Sequence, residues 1–287
     1  MLAYIIWDIA PRVISFDLFG ISLPIHWYSI LFACSFLVGE RLVSFLFRAD
    51  QVGVSKVESL LLYMAIATVV GARVGHYLFY EWQLLLAHPL EWLRSMLSLP
   101  FEGLASHGAA IAILVALFLY SRQPTNPSFF WVADRVVIAG ALGGALIRVG
   151  NLFNSEIYGK PTDLPWGFVF ARETDFTLLP LVPRHPTQLY EAFFCLFLFV
   201  FTFYLWKYKR HQLADGIIMG LFILLLFSFR FMIEFLKNAQ ENFEEKMPLN
   251  MGQWLSLPII LMGVVILFYA QKQKHRFSEG SRKIKDI

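Results

Sequence analysis

The stretch GALIRVGNLFNSEIYGK, residues 144–160, begins as an apolar helix and then places an arginine, two asparagines and a glutamate where lipid would be expected. Polar residues of this kind are rare in membrane segments, because an arginine at the bilayer centre costs about 2.5–3.5 kcal/mol. Where they occur, they usually face a protein interior or a water-filled cavity and have a function. We therefore expect the end of this helix to line a polar cavity.

The composition is that of an integral membrane protein. Hydrophobic residues make up 57% of the 287 residues, charged residues make up 16%, and the mean hydropathy is +0.59. Soluble domains contain about 25% charged residues. Several apolar windows approach the roughly 20 residues that a helix needs to cross the hydrocarbon core. These windows predict an all-α polytopic protein with about seven transmembrane helices, at 26–47, 58–80, 104–120, 132–153, 188–206, 215–236 and 252–270.

The connecting segments predict a single membrane domain, 1–287, and its orientation. Lys and Arg are concentrated in alternate connections and in the tail 271–287, so the positive-inside rule places that tail in the cytoplasm and the N-terminus outside. Residues 1–25 lack the features of a cleaved signal peptide and are interpreted as an outer interfacial arm. The proline-rich connection 154–187 is interpreted as a small extracytoplasmic lobe.

Charge and cysteine content limit which partners and cofactors we expect. The net charge of +3 comes with a basic tail, where anionic membrane lipid is a sufficient partner and nucleic acid is not expected. Cys34 and Cys195 both fall inside predicted spans, so neither a disulfide framework nor a metal cluster is expected. No spacing typical of a metal or organic cofactor site occurs, and we expect none.

In the predicted orientation, several unusual polar residues converge on the outer leaflet. They are Tyr28, Arg73, His76, His107, Arg148, Asn151, Arg230 and Glu234. A planar guanidinium binds phosphate or carboxylate through two parallel hydrogen bonds, so three arginines in this position indicate an anionic ligand. Structural explanations stay open for single residues. Arg230 and Glu234 could form only an internal ion pair, Arg73 could extend to the interface, and His107 could cap a helix.

Several dispersed motifs agree with one family. The pattern Arg-x-Gly-Asn-x-x-Asn-x-Glu-x-x-Gly is present as Arg148, Gly150, Asn151, Asn154, Glu156 and Gly159. Further matches are RHPTQLYE at 184–191, HWYS at 26–29, GARVGHYLFY at 71–80, His107–Gly108, Phe229–Arg230 with Glu234–Phe235, and Gly252–Gln253 with Ser256 and Pro258. On these residues the chain resembles the prolipoprotein diacylglyceryl transferase family over essentially its whole length.

The resemblance implies an activity and its partners. A member of this family, in the bacterial cytoplasmic (inner) membrane, transfers the diacylglyceryl group of the membrane lipid phosphatidylglycerol to the lipobox cysteine in the signal peptide of a preprolipoprotein. The products are a thioether and glycerol 1-phosphate. An active site facing the outer leaflet fits both substrates. It also fits the anionic ligand that the arginines indicate.

Residue roles follow as hypotheses. We expect His107, Arg148 and Arg230 to be catalytic, with the arginines on the phosphodiester and His107 as the thiol base. Alternatively, the arginines lower the thiol pKa and His107 orients the glycerol. The expected substrate-binding residues are Tyr28, Arg73, Arg148, Asn151, Asn154, Glu156, Gly159, Arg184 and Glu234.

The chain departs from the family pattern at three places. Ala109 replaces a second glycine after His107, Ser155 stands where glycine is usual, and residues 237–240 read KNAQ instead of Arg-x-Pro-Asp. The last departure puts the local loop contacts in question. A transporter or a binding protein for an anionic lipid or small organic anion is the rival interpretation. The nearly apolar cytoplasmic halves of the spans argue against a continuous transport path.

Overall fold

The computed structural model describes residues 4–18, 21–53, 55–98, 103, 105–172, 181–238 and 247–285, and the polytopic helical architecture is confirmed. The helices are α1 (Trp27–Ala49), α2 (Ser55–Phe79), α3 (Trp82–Ala87), α4 (Pro89–Leu97), α5 (Ser106–Ser121), α6 (Phe129–Phe153), α7 (Thr187–Lys209), α8 (Ile217–Ile233) and α9 (Met251–Lys285). A 3-10 turn, Glu234–Leu236, extends α8. The short strands are β1 (Ile5–Trp7), β2 (Arg12–Leu18), β3 (Ile21–His26) and β4 (Phe168–Phe170). The all-helical prediction did not include these strands.

In the described chain, six helices are long and apolar enough to cross a bilayer: Trp27–Ala49, Ser55–Phe79, Phe129–Phe153, Thr187–Lys209, Ile217–Leu236 and Met251–Gln273. The predicted span at 104–120 corresponds to α5, which has 16 residues. At about 1.5 Å per residue this helix is roughly 24 Å long, shorter than the roughly 30 Å hydrocarbon core. The seventh crossing therefore stays a prediction.

The chain forms two compact units, Met1–Gly39 with Asp134–Ile287, and Glu40–Ala133. In the first unit, α8 and α9 pack closely: a Cβ on Gly263 would lie 3.0 Å from the backbone nitrogen of Leu224. The start of α8 is capped from α6, where the Asp134 carboxylate accepts hydrogen bonds from Gly216 N (2.8 Å) and Met219 N (2.7 Å). This carboxylate satisfies two of the amides that a helix N-terminus leaves open.

Of the strands in the first unit, β1 and β4 contribute to a small apolar core beside the end of α6. β1 pairs in parallel with β4, and β2 pairs with β3 as an antiparallel hairpin. The buried side chains of this core are Leu152, Phe168 and Phe170, with Trp7, Tyr158 and Leu189 packed against them. Because Leu152 belongs to α6, the core fixes the direction in which the chain leaves that helix.

The second unit is built on the close packing of α2 and α5. A Cβ on Gly75 would lie 2.5 Å from the Cα of Gly108, and one on Gly71 would meet the side chain of Ala112. Small residues of this kind let two membrane helices approach backbone to backbone. The short helices α3 and α4 lie between α2 and α5 in the sequence. Neither was predicted.

Candidate functional site

The polar residues at the end of α6 form one hydrogen-bonded array. Arg148 donates from Nη1 to Asn151 Oδ1 at 3.1 Å, and Asn151 Nδ2 donates to Glu156 Oε1 at 2.7 Å. Asn154 Nδ2 also donates to Glu156 Oε1, at 3.2 Å. Arg148 and Asn151 share a helix face because they are three residues apart. Glu156 therefore orients both amides, and Asn151 in turn holds one side of the guanidinium.

An irregular backbone turn brings Glu156 back toward α6. Ser155 and Ile157 have φ values of +53° and +59°, in the left-handed region that L-residues seldom adopt. The start of α7 holds this turn, since Gln188 Nε2 donates to the Glu156 carbonyl and Thr187 Oγ1 donates to the Ile157 carbonyl, both at 2.6 Å. The φ of Ser155 gives a physical reason for the glycine usual at this position in the resembled family.

Alternating charges connect Arg148 to Arg230. Arg148 Nε lies 3.3 Å from Glu191 Oε2 on α7, and Lys237 Nζ bonds Glu191 Oε1 at 3.0 Å. The same ammonium bonds Glu234 Oε1 at 3.1 Å. Arg230 Nη2 lies 3.7 Å from that oxygen, so the ion pair between Arg230 and Glu234 is present. The order of contacts is therefore Arg148, Glu191, Lys237, Glu234 and Arg230. These residues belong to the same polar array as Asn151, Asn154 and Glu156, because Arg148 contacts both groups.

Burial differs sharply along these contacts. The side chains of Glu191, Glu234 and Lys237 are 7%, 6% and 3% exposed, whereas those of Arg148 and Arg230 are 22% and 36% exposed. The buried middle holds one ammonium between two carboxylates, and the two arginines supply the remaining positive charge, since buried charges need partners. The two guanidinium groups are the accessible ends. They are the parts of the array that an anion can reach.

Three glycines make room for the array. A Cβ on Gly150 would lie 2.9 Å from Tyr28 Cδ2, and one on Gly252 would lie 2.7 Å from the Glu234 carboxyl carbon. A Cβ on Gly159 would lie 2.6 Å from the Leu236 carbonyl oxygen. Side chains at these positions would displace Tyr28, Glu234 or the backbone beside Lys237. The glycines of the α6 motif are therefore explained by close packing.

Glu234 has a further partner at the start of α9. Asn250 Nδ2 donates to Glu234 Oε2 at 3.0 Å, while the Gln253 side chain accepts from Asn250 N at 3.0 Å. Lys237 occupies one carboxylate oxygen of Glu234 and Asn250 occupies the other. The carboxylate is consequently held from α8, from the turn after it and from α9.

Arg184 and His185 lie beside β4 in the first unit, in the segment that leads into α7. Arg184 exchanges backbone hydrogen bonds with Phe168 and its guanidinium lies 5.3 Å from the centre of the Tyr158 ring. The His185 Nδ1 is 3.3 Å from Tyr190 Oη, which accepts from Trp166 Nε1 at 2.9 Å. Burial lowers the pKa of His185 from its ordinary value of 6.5. The Arg184 contacts therefore join the segment before α7 to β4 and to Tyr158.

In the second unit, the guanidinium of Arg73 is occupied by backbone carbonyls. Its Nε donates to Met96 O at 2.9 Å and its Nη2 donates to Ser95 O at 2.8 Å. These carbonyls belong to the last turn of α4, where a cation is favoured by the open acceptors and the helix dipole. The prediction of Arg73 as a substrate ligand did not anticipate this capping role.

His107 belongs to an aromatic cluster of the second unit. Its ring lies 4.7 Å from that of Phe79 and 5.8 Å from that of Tyr80, measured between centroids. His76 packs on Tyr77 and Tyr80 at 5.6 and 5.4 Å. Within the described residues, the His107 imidazole nitrogens make no hydrogen bond, and the residue is partly buried. The role of His107 as a base stays a prediction.

The comparisons with known proteins agree with the motifs. The family model for prolipoprotein diacylglyceryl transferase matches residues 15–269. This chain belongs to that family. It is 41% identical over 274 residues to the phosphatidylglycerol–prolipoprotein diacylglyceryl transferase of Chloroherpeton thalassium, covering 94% of this chain and 96% of the relative. It is 40% identical over 270 residues to the protein of the same name from Tolumonas auensis, covering 94% and 99%.

A third relative under that name, from Porphyromonas gingivalis, is 41% identical over 284 residues, covering 94% of this chain and 96% of the relative. The similarity to the family thus extends over nearly the whole chain. Together with the six long apolar helices, family membership makes this chain a multi-pass protein of the bacterial inner membrane.

The structure brings together most of the predicted site residues in the first unit. Those within the array or packed against it are Tyr28, Arg148, Asn151, Asn154, Glu156, Gly159, Arg230 and Glu234. Arg73 and His107 belong to the second unit. Sequence reasoning missed Lys237 as a member of the array and gave no role to Glu191, although both lie within or next to recognised motifs. A charged residue in an apolar segment is a usable signal, and Glu191, inside the predicted span 188–206, carried it.

Proposed function

We propose that this chain transfers the diacylglyceryl group of phosphatidylglycerol to the lipobox cysteine of a preprolipoprotein. The cysteine sulfur forms a bond to the glyceryl carbon next to the phosphate ester. The bond between that carbon and the phosphate oxygen breaks, and its electrons leave with glycerol 1-phosphate. The thiol proton passes to a base. Because one carbon–sulfur bond replaces one carbon–oxygen bond, the reaction needs no oxidant or reductant.

The observation that carries this proposal is the pair of accessible arginines at the ends of a compensated buried array. A phosphodiester has one negative charge and two free oxygens, which suit the planar donors of a guanidinium. When the carbon–oxygen bond breaks, further negative charge develops on the phosphate. Arg148 and Arg230 are proposed to stabilise that charge, because preorganised cations lower the energy of such a transition state.

The neutral residues near Arg148 are proposed to orient the lipid. Asn151 is fixed by Glu156, and the position of Tyr28 is set by its contact with Gly150, so both retain a defined direction without a ligand. His107 is proposed to accept the thiol proton, because an unprotonated imidazole nitrogen is a proton acceptor. We propose that the reaction faces outward, which fits the orientation that the Lys and Arg distribution predicts, with the N-terminus outside and the basic tail in the cytoplasm.

The proposal is tested with purified protein and a lipobox peptide in phosphatidylglycerol micelles. Lipid binding and peptide modification are both measured for the wild type, Arg148→Ala and His107→Gln. Arg148→Ala is expected to lose binding and transfer, because it removes a phosphate ligand. His107→Gln is expected to retain lipid binding and lose transfer. Lipid binding by the wild type without any thioether formation would contradict the transferase and favour an anionic-lipid binding protein.

A further inference from the structure

Lys237, the most buried cation of the array among the described residues, has no role in the proposed reaction. The Lys237 side chain is 3% exposed and its ammonium lies between two carboxylates that are themselves buried. Its backbone is also fixed, because it forms a bridge with Gly159 and its amide donates to the Glu234 carbonyl at 3.3 Å. A lysine at this depth cannot touch a ligand. Any effect on the lipid must act through its neighbours.

The neighbours of Lys237 are the carboxylates that contact the two arginines. Glu191 Oε1 bonds Lys237 and Glu191 Oε2 lies beside Arg148, while Glu234 Oε1 is near both Lys237 and Arg230. Without a competing cation, each glutamate would bind its arginine as a full ion pair. A carboxylate held in this way competes with phosphate for the same donors. In this structure Lys237 takes one oxygen of each carboxylate, Glu191 Oε1 at 3.0 Å and Glu234 Oε1 at 3.1 Å.

The count of charges in the site also indicates that Lys237 affects lipid binding. Arg148, Arg230 and Lys237 supply three positive charges, and Glu156, Glu191 and Glu234 supply three negative charges. The site is therefore balanced before a phosphodiester arrives. Loss of the ammonium would leave one excess negative charge close to where the phosphate binds. Such a charge is costly in a poorly solvated site.

We propose that Lys237 is a positioning residue that holds Glu191 and Glu234 away from full pairing with Arg148 and Arg230, so that both arginines can receive the phosphate of an anionic lipid. This inference rests on the proposed function and extends it to a residue that never touches the lipid. It also predicts which kinetic constant is affected. Because the charge balance determines lipid binding, the KM for phosphatidylglycerol should change more than kcat.

The test measures kcat and the KM for phosphatidylglycerol in mixed micelles with a neutral detergent and a lipobox peptide. The variants are Lys237→Met, Lys237→Arg, and Lys237→Met combined with Glu234→Gln. Lys160→Met is the matched control, because Lys160 is exposed in the adjacent segment and its Nζ donates to the Phe235 carbonyl at 3.0 Å. Thermal unfolding is recorded for every variant.

Lys237→Met is expected to raise the KM by about tenfold or more, from one uncompensated charge near the phosphate. Lys237→Arg and Lys160→Met should stay within about threefold of wild type, since each leaves the charge of the array unchanged. The double variant restores the charge balance, so its KM should fall back toward the wild-type value. Its kcat should be below that of the wild type, because Arg230 has lost the carboxylate that positions it.

Several results would overturn the inference. One is a wild-type KM in Lys237→Met, and another is a loss confined to kcat. A third is a double variant that binds lipid no better than Lys237→Met. If Lys237→Met does not fold, Lys237→Arg and the double variant decide: a raised KM in both contradicts the charge argument. Failure of the proposed function is distinguishable, because the wild type itself would then leave the peptide unmodified.

Discussion

Replacing Gly150 with alanine tests whether close contact between α6 and Tyr28 is needed for function. The added Cβ would lie 2.9 Å from Tyr28 Cδ2 and 3.3 Å from the α-carbon of Tyr28, whereas ordinary contact begins at 3.4 Å. The ring must therefore withdraw by at least 0.5 Å, the difference between 3.4 and 2.9 Å. The second of these close approaches is to a backbone atom, so rotation of the ring alone cannot relieve the clash.

Gly140→Ala is the matched control for this substitution. Gly140 lies on the same helix, and an added Cβ there would meet nothing within 4 Å. Both changes gain up to about 1 kcal/mol from the higher helix propensity of alanine. Only Gly150→Ala has the overpacking cost, which is typically about 1–3 kcal/mol. The two variants should therefore differ by about that amount in free energy of unfolding.

The assay compares thermal unfolding and peptide lipidation of the two variants in the same micelles. For a chain of this length, the difference corresponds to a Tm about 2–5 °C lower for Gly150→Ala than for Gly140→Ala. Displacement of Tyr28 should also slow transfer by about tenfold, equivalent to about 1.4 kcal/mol in the barrier. Equal Tm values and equal transfer rates in the two variants would refute the reasoning.

Substitutions at three further positions test separate features. Ser155→Gly should leave the Tm unchanged or raise it, and Ser155→Val should lower it, because the φ of +53° costs an L-residue about 1–2 kcal/mol; the reverse order in thermal unfolding would contradict this. Asp134→Ala should destabilise the protein by about 1–3 kcal/mol through two lost amide hydrogen bonds, with the KM for lipid unchanged. His185 has a lowered pKa in the folded state, so the unfolded chain binds its proton first and stability should fall as the pH drops below about 6.5. Tm measured against pH should show a shallower fall in His185→Gln, and an identical slope would exclude this cause.

Local sequence patterns predicted the helices well because each span is encoded by its own apolar residues. The predicted 132–153 corresponds to α6 and the predicted 188–206 corresponds to α7, with ends that differ by a few residues. The strands were not predicted. β1 and β4 are three residues each and pair with partners more than 160 positions away, so neither has a local pattern of its own.

The site was predicted where its residues lie close in sequence and missed where distant segments meet. Arg148, Asn151 and Glu156 interact within nine residues of chain. Lys237 joins Glu191, which is 46 positions away, and it follows a helix whose end alone gives no indication of burial. Arg73 shows the opposite case. Its charge indicated a ligand, and that role stays a prediction, while α4, which was not predicted, supplies carbonyls that accept hydrogen bonds from the guanidinium.

In the proposed reaction, the chain couples thioether formation to release of the phosphatidylglycerol head group. The most direct measurement is mass spectrometry of a lipobox peptide after incubation with wild-type protein and phosphatidylglycerol, with glycerol 1-phosphate quantified in the same sample. We predict a diacylglyceryl group on the cysteine sulfur and one glycerol 1-phosphate released for each modified peptide. A peptide that stays unmodified while the protein is folded and binds the lipid would contradict the account.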